Sequence, residues 1–191
     1  MKKNNYTSKQ KLQRLTTAAV LASLSLVLMA TIRFSIFPPP AAFYEMEFSD
    51  VPLLLSSTVL GPVYSIVTLA VVCLIQAVFF SSSSGFVGFL MHFISSGLTI
   101  LAVYFVRKKI SGIKGIILSN LLGIVVMTLI MIPLNVWSVN VLYHMSAKEF
   151  FDTFLFFCIA FNLIKSTTNI TIFSLVSPII TKEYNKLFRK K

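Results

Sequence analysis

Five long apolar runs, at about residues 15–32, 51–79, 86–106, 115–137 and 153–181, leave very little chain between them. Crossing about 30 Å of hydrocarbon takes about 20 residues of helix, so each run is long enough to span a bilayer. The 191-residue chain is 56% hydrophobic and 12% charged, roughly half the charge of a soluble domain. No separate aqueous domain fits between the runs. The sequence therefore reads as one all-α integral membrane domain over residues 1–191.

The net charge of +11 raises nucleic-acid binding as an alternative, and the placement of that charge argues against it. Lys2, Lys3, Lys9, Lys11 and Arg14 precede the first apolar run. Arg107, Lys108, Lys109 and Lys114 form a central block, and Lys182, Lys186, Arg189, Lys190 and Lys191 close the chain. Basic flanks of this kind stay on the cytoplasmic side and set orientation. No basic face interleaved with aromatics is available for a nucleic-acid backbone. The first run has the basic start of a signal peptide but no convincing small-x-small cleavage site near Met29–Arg33, so it reads as a retained helix. Cys73 and Cys158 both fall in apolar runs without metal-type spacing, and read as buried packing residues.

If all three basic blocks are cytoplasmic, the crossings between any two must be even in number. Between Arg14 and Arg107 there are three runs, an odd count. Gly61-Pro62, inside the run 51–79, resolves the conflict. Proline lacks the N–H and clashes with the preceding turn, while glycine lets the chain reverse tightly. Split there, the chain has six transmembrane helices, at approximately 12–33, 50–60, 62–80, 86–106, 114–138 and 150–182, with both termini cytoplasmic. Glu45, Glu47, Asp50, Glu149 and Asp152 then all fall outside, and Trp137 and Tyr143 sit near the outer boundary, where amphipathic rings are favoured. The second helix is short: eleven residues rise only about 16 Å. It must be sheltered by protein, and irregular backbone at that depth is tolerated where it lines a cavity.

The first external loop, Arg33 to Asp50, far exceeds the usual connector between helices. Pro38-Pro39-Pro40 predicts a stiff, extended start, and Ser49 or Asp50 before Val51-Pro52 is good helix-start chemistry. The loop reads as a lid over an outward pocket, offering Phe43, Tyr44, Met46 and Glu47. Ser81-Ser82-Ser83-Ser84-Gly85 reads as a short flexible turn.

In the last run Asn162, Lys165 and Asn169 are spaced i, i+3, i+7 and share one helix face. Lys165 is 13 residues from Asp152 and 17 from Lys182, too deep to reach either boundary easily. A charge there costs about 2.5–3.5 kcal/mol on insertion scales, so it faces a cavity or a partner. No other helix offers a carboxylate at matching depth, which leaves a ligand or the acids of a loop dipping inward. Asn135, beside Pro133 in the fifth run, can both donate and accept. With Asn162 and Lys165 it becomes a candidate for reading a polar ring edge. His92 reads as a packing residue.

The chain has no G-x-x-x-x-G-K-[ST], no H-E-x-x-H and no G-x-S-x-G, which argues against an ATPase, a metalloprotease or a serine hydrolase. A membrane enzyme or scaffold using Lys165 as a buried base remains as an alternative without an acid–base partner in the sequence. No catalytic residue or metal ligand is assigned.

Pro38-Pro39-Pro40 leading into Glu47-Phe48-Ser49-Asp50-Val51-Pro52, then Gly61-Pro62, resembles the substrate-binding S components of energy-coupling-factor (ECF) vitamin transporters. Phe161-Asn162-Leu163-Ile164-Lys165 is similar to the F-N-x-x-K of the riboflavin-specific branch, and Ala18-x-x-x-Ala22 to the family's small-residue surface. The resemblance runs over about residues 15–180. It implies a multi-pass protein of a bacterial plasma membrane that binds riboflavin from outside, without a cofactor. Asn135, Asn162 and Lys165 would touch the ligand, with Phe43, Tyr44, Met46 and Glu47 above it. Ala18 and Ala22 would dock on a membrane-embedded T component that carries two ATP-binding-cassette ATPases, and the bound subunit would topple to release vitamin inside. Flavin mononucleotide, thiamine, biotin and pantothenate stand as alternative ligands.

Overall fold

The structure, a computed structural model, describes residues 7–80 and 84–188. Lys2, Lys3, Ser81, Ser82, Ser83, Arg189, Lys190 and Lys191 of the sequence reading lie outside the described residues. The chain runs through helix α1 (Ser8–Thr31), a two-stranded ribbon of β1 (Phe34–Ser35) and β2 (Glu45–Met46), then α2 (Asp50–Leu60), α3 (Pro62–Phe79), α4 (Gly85–Lys109), α5 (Gly112–Tyr143), α6 (Ala147–Thr153) and α7 (Leu155–Phe188). Among the described residues five helices, α1, α3, α4, α5 and α7, are long and apolar enough to cross a membrane.

Large apolar side chains point outward along the bundle: Val20 and Val27 on α1, Val67 and Val78 on α3, Leu121 and Leu129 on α5, Leu175 and Ile179 on α7. A soluble surface would not carry so continuous an apolar coat, whereas lipid solvates it without cost. The polar backbone is satisfied within the helices, as hydrocarbon demands.

The short α2 occupies the middle of the bundle. Every residue of it except Thr58 is buried, and it packs against α1, α3, α4 and α7. This is the shelter that so short an apolar helix requires. Gly61 ends it at φ 91°, a left-handed conformation that favours glycine, and Pro62 opens α3 where its missing N–H is no loss. Leu53, Leu54, Leu69, Val72, Ile100, Val103, Ile170 and Phe173 form the core around it. Gly123 of α5 allows a close approach to α4 and α7, because a Cβ there would lie 2.8 Å from both Ile170 Cδ1 and Val103 Cγ2.

Several expectations change on the structure. The helices run beyond the expected bounds at most ends, and the last one is divided. Ser146 and Glu149 form a capping box that starts α6 as its own short helix, and Phe154 separates it from α7. Pro38-Pro39-Pro40 does not continue extended: the Ala41 N–H donates to Pro38 O at 3.0 Å and closes a turn. Ser49 makes no side-chain cap on α2, because its hydroxyl donates instead to Glu47 Oε2 at 2.9 Å. Arg107, read as a flanking charge, folds inward. Its guanidinium donates to Ser119 Oγ and Asn120 Oδ1 on α5 and to Ser174 Oγ and Ser177 Oγ on α7. It also lies 4.2 Å from the Phe173 ring centroid. That clamp ties three helices at the end of the bundle opposite the Arg33–Ser49 loop.

Candidate ligand-binding site

The Arg33–Ser49 loop folds onto the ends of α5, α6 and α7 because its apolar residues have somewhere to go. Ala41 and Tyr44 are buried with Val139, Phe150, Phe154, Cys158 and Phe161. The ribbon pairs Phe34 with Met46 and Ser35 with Glu45. Arg33 reinforces it through an ion pair to Glu45 and a bond to Phe80 O at 3.0 Å. Phe43 keeps about half its surface open, with its ring 4.4 Å from Tyr44 and 5.5 Å from Phe154. Tyr44 lies deeper, its ring 5.1 Å from that of Phe161, and its hydroxyl donates to Asn135 Oδ1 at 3.3 Å. Met46 is buried, and Glu47 follows it into the bundle.

Glu47 supplies what the sequence could not locate, a carboxylate at the depth of Lys165. Lys165 Nζ lies 2.9 Å from Glu47 Oε1. Both side chains are close to fully enclosed, so the pair sits in a low-dielectric setting where either charge alone would be costly. The loop is held there a second time by Asn169, whose Nδ2 donates to Glu47 O at 3.1 Å and to Lys165 O at 3.0 Å. Ser25 of α1 donates to Ser49 O at 2.7 Å, which ties the same turn to the first helix.

Asn162, Lys165 and Asn169 all face the interior, on one face of α7. Asn162 is 0% exposed, and its Nδ2 donates to Cys158 O at 2.8 Å. Its Oδ1 is buried with no hydrogen-bond partner among the described residues, and so is Oδ1 of Asn169. Asn135 Nδ2 donates to Met131 O at 2.7 Å, within its own helix. The structure therefore gathers Asn135, Asn162, Lys165, Tyr44, Met46 and Glu47 beneath one loop, with Phe43 at the mouth. The two cysteines are free and buried, as expected.

Sequence reasoning missed the neighbouring cluster. Asp50, read as a helix start, turns its Oδ1 to Ser96 Oγ at 2.6 Å and to His92 Nε2 at 3.2 Å. His92, read as packing, meets Gln76 Oε1 through its other ring nitrogen. Glu47, Asp50 and His92 place metal-ligand-type atoms within 4.8 Å of one another. Each is already paired inside the chain, with the Lys165 ammonium among them, so a cation would have to displace existing bonds. The depth of His92, seven residues into α4, was the available signal that Asp50 enters the bundle.

Ala18 and Ala22 are less open than a docking face requires by itself. Ala18 is covered by Val59, Leu60, Tyr64 and Tyr184, and Ala22 packs partly against the core. Together with Ala19 they line an apolar groove between α1 and α3, walled by Val63, Val67 and Val71.

The family model for the ECF transporter substrate-specific component matches residues 13–177. The riboflavin transporter FmnP of Bacillus subtilis (strain 168) is 34% identical over 126 residues, which is 65% of this chain and 65% of that relative. The match thus spans slightly less than two thirds of that relative's length. The riboflavin transporter RibU of Staphylococcus aureus (strain TCH60) is 31% identical over 137 residues, 71% of this chain and 70% of that one. RibU of Lactococcus lactis subsp. cremoris (strain NZ9000) is 28% identical over 138 residues, 72% and 67% of the two chains. A solved S component of a bacterial ECF transporter superposes with a TM-score of 0.73 at 27% identity, covering 94% of this chain and 99% of that one.

Proposed function

This chain belongs to the family of ECF transporter substrate-specific components, and on that premise we propose that it is the riboflavin-binding subunit of an ATP-driven vitamin uptake system. Six membrane crossings with both termini cytoplasmic make up this reading, α2 serving as a short, protein-sheltered crossing. The Arg33–Ser49 loop is its external lid.

The observation that carries the proposal is the pairing of loop and helix groups. Tyr44 holds Asn135, and Glu47 holds Lys165. A flat heteroaromatic ring entering from the loop side replaces those internal partners. It stacks among Tyr44, Phe43 and Phe161 and presents its own donors and acceptors to Asn135, Asn162 and Lys165. Apolar walls with a few convergent polar groups are the general form of a small-molecule site. The riboflavin transporters among the relatives support the choice of ligand. An enzymatic use of Lys165 finds no support, since its ammonium is committed to Glu47 and the family consists of transporter components.

Release inside requires the T component and two ATPases. The apolar groove at Ala18, Ala19 and Ala22 supports α1 and α3 as the face that meets the T component. Uptake of labelled riboflavin tests the whole reading, in bacterial cells that lack their own riboflavin transporter and carry this chain with its cognate module. Uptake is expected only with intact ATPases. Uptake that survives ATPase inactivation overturns the energy coupling, and no uptake with an intact module overturns the transport role.

A further inference from the structure

The apolar groove between α1 and α3 runs into a second cavity. Val63 and Tyr64 line both spaces, which meet where α1, the turn from α2 to α3, and α4 come together. Their walls differ in character. The groove, of about 290 Å³, is lined by Ala19, Ala22, Val67 and Val71. The cavity, of about 400 Å³, is lined by Arg14, Ser57, Thr58, Gly61 and Tyr104. The orientation proposed above puts this cavity at the cytoplasmic surface, beside the basic start of α1 and the basic end of α4.

The charge of the cavity has one sign. The Arg14 guanidinium donates to Leu60 O and lies 4.8 Å from the Tyr64 ring centroid. It thereby covers the carbonyl end of α2, whose partial negative charge would repel an anion. At the same place α3 starts without a side-chain cap, and its positive end adds to the field of Arg14. The Lys108 ammonium lies 5.7 Å from the Tyr104 ring centroid, and Lys11 shares the Arg14 face of α1 three residues earlier. The described lining residues include no carboxylate. Glu183, the acidic residue that the topology puts at this end, lies 3.9 Å from Lys186.

A basic cavity at the cytoplasmic ends of the helices, continuous with an apolar groove along them, matches the two halves of an amphiphile. We propose that in the undocked subunit these spaces hold one anionic phospholipid of the cytoplasmic leaflet, its phosphate at Arg14 and one acyl chain along the α1–α3 groove. Guanidinium groups bind phosphate through paired N–H donors, and the phenol hydroxyls of Tyr64 and Tyr104 can donate as well. A free phosphate ion would fill the cavity alone and leave the groove bare, whereas the lipid fills both. The groove cannot hold an acyl chain and a partner helix together, so the lipid leaves when the T component docks. This site goes beyond the transport reading and does not depend on which vitamin is carried.

The test strips lipid from the detergent-purified full-length chain and adds back phosphatidylglycerol, phosphatidylcholine or diacylglycerol with matched acyl chains. Native mass spectrometry counts the lipids retained. Wild type is expected to hold one phosphatidylglycerol about tenfold more tightly than phosphatidylcholine, whose quaternary ammonium meets Arg14 and Lys108. Diacylglycerol, which has no phosphate, is expected to bind least. Arg14→Gln is expected to erase the preference between the two phospholipids, and Arg14→Lys to keep it. Ala19→Trp, at an exposed position, is expected to weaken both phospholipids by about tenfold and to preserve their ratio. If Arg14→Gln does not fold, the exposed Lys108→Gln replaces it, with the ratio expected to narrow by about threefold. Equal wild-type retention of the two phospholipids, or an unchanged ratio in the Arg14→Gln or substituted Lys108→Gln chain, overturns the headgroup site. Unchanged retention in Ala19→Trp, or displacement of phosphatidylglycerol by inorganic phosphate alone, overturns the seat of the acyl chain and with it the lipid. Retention of no lipid leaves the cavity to an acidic side chain of the docking partner and overturns the proposal outright. Riboflavin binding is read separately by absorption, so either reading can fail while the other stands.

Discussion

Lys165 and Glu47 carry most of the electrostatics of the site, 118 residues apart in sequence and 2.9 Å apart in space. Removing one partner of a buried pair strands the other charge, at about 3–5 kcal/mol. Lys165→Met is therefore expected to lower the unfolding temperature in detergent, and Glu47→Gln in the same chain to recover most of the loss. Equal destabilisation by the single and double variants would show that the pair is not what holds these residues. Asn162→Ala removes an acceptor without a partner among the described residues, together with the Nδ2 bond to Cys158 O, so it is expected to weaken flavin binding by about tenfold at a modest loss of stability. Unchanged affinity there would remove Asn162 from the site. The depth of Lys165 was legible because helical rise is regular and the distance to each basic or acidic flank can be counted. Its partner was legible only as one of several loop acids, since an irregular segment has no period from which to compute where it goes. The same blindness hid Asp50: a residue before Val51-Pro52 looks like a cap, and nothing local says that His92 and Ser96 wait opposite it.

At the scale of elements, α2 is the piece on which the architecture turns. Parity of the basic blocks placed a break at Gly61-Pro62, and α2 ends and α3 begins there. Its burial was also foreseeable, because an apolar helix too short to span needs protein around it. The division of the last helix at Phe154 was not foreseen, since the apolar run continues across it while the capping box at Ser146 and Glu149 sits upstream. Arg107 shows the limit of reading charge as topology. A guanidinium with five donors finds four side-chain oxygens on α5 and α7 and ceases to be a free flank. The groove between α1 and α3 yields the prediction that belongs to this scale. Ala22→Trp is expected to fill it and abolish uptake while flavin affinity stays unchanged. Ala18 lies against Leu60 and Tyr64, so a Trp there also disturbs packing, and Ala19→Trp is the cleaner companion. Normal uptake in both bulky variants would remove the docking assignment.

On the proposed function, the whole molecule joins two tasks, ligand binding and docking, through short polar links. The α1–α3 half offers the apolar groove, and the α4–α7 half holds the polar site. Between them run Ser25 to Ser49, Asp50 to Ser96 and His92, and Glu47 to Lys165. A ligand that displaces Glu47 or Tyr44 therefore acts on the same turn that α1 and α2 hold. Flavin binding at this site is tested by an absorption and fluorescence titration of the detergent-purified chain with riboflavin. Flavin bands are expected to co-purify or to saturate at one ligand per chain, with quenched fluorescence as the ring stacks on Tyr44 and Phe161. A colourless protein whose added riboflavin keeps its free fluorescence would contradict that binding.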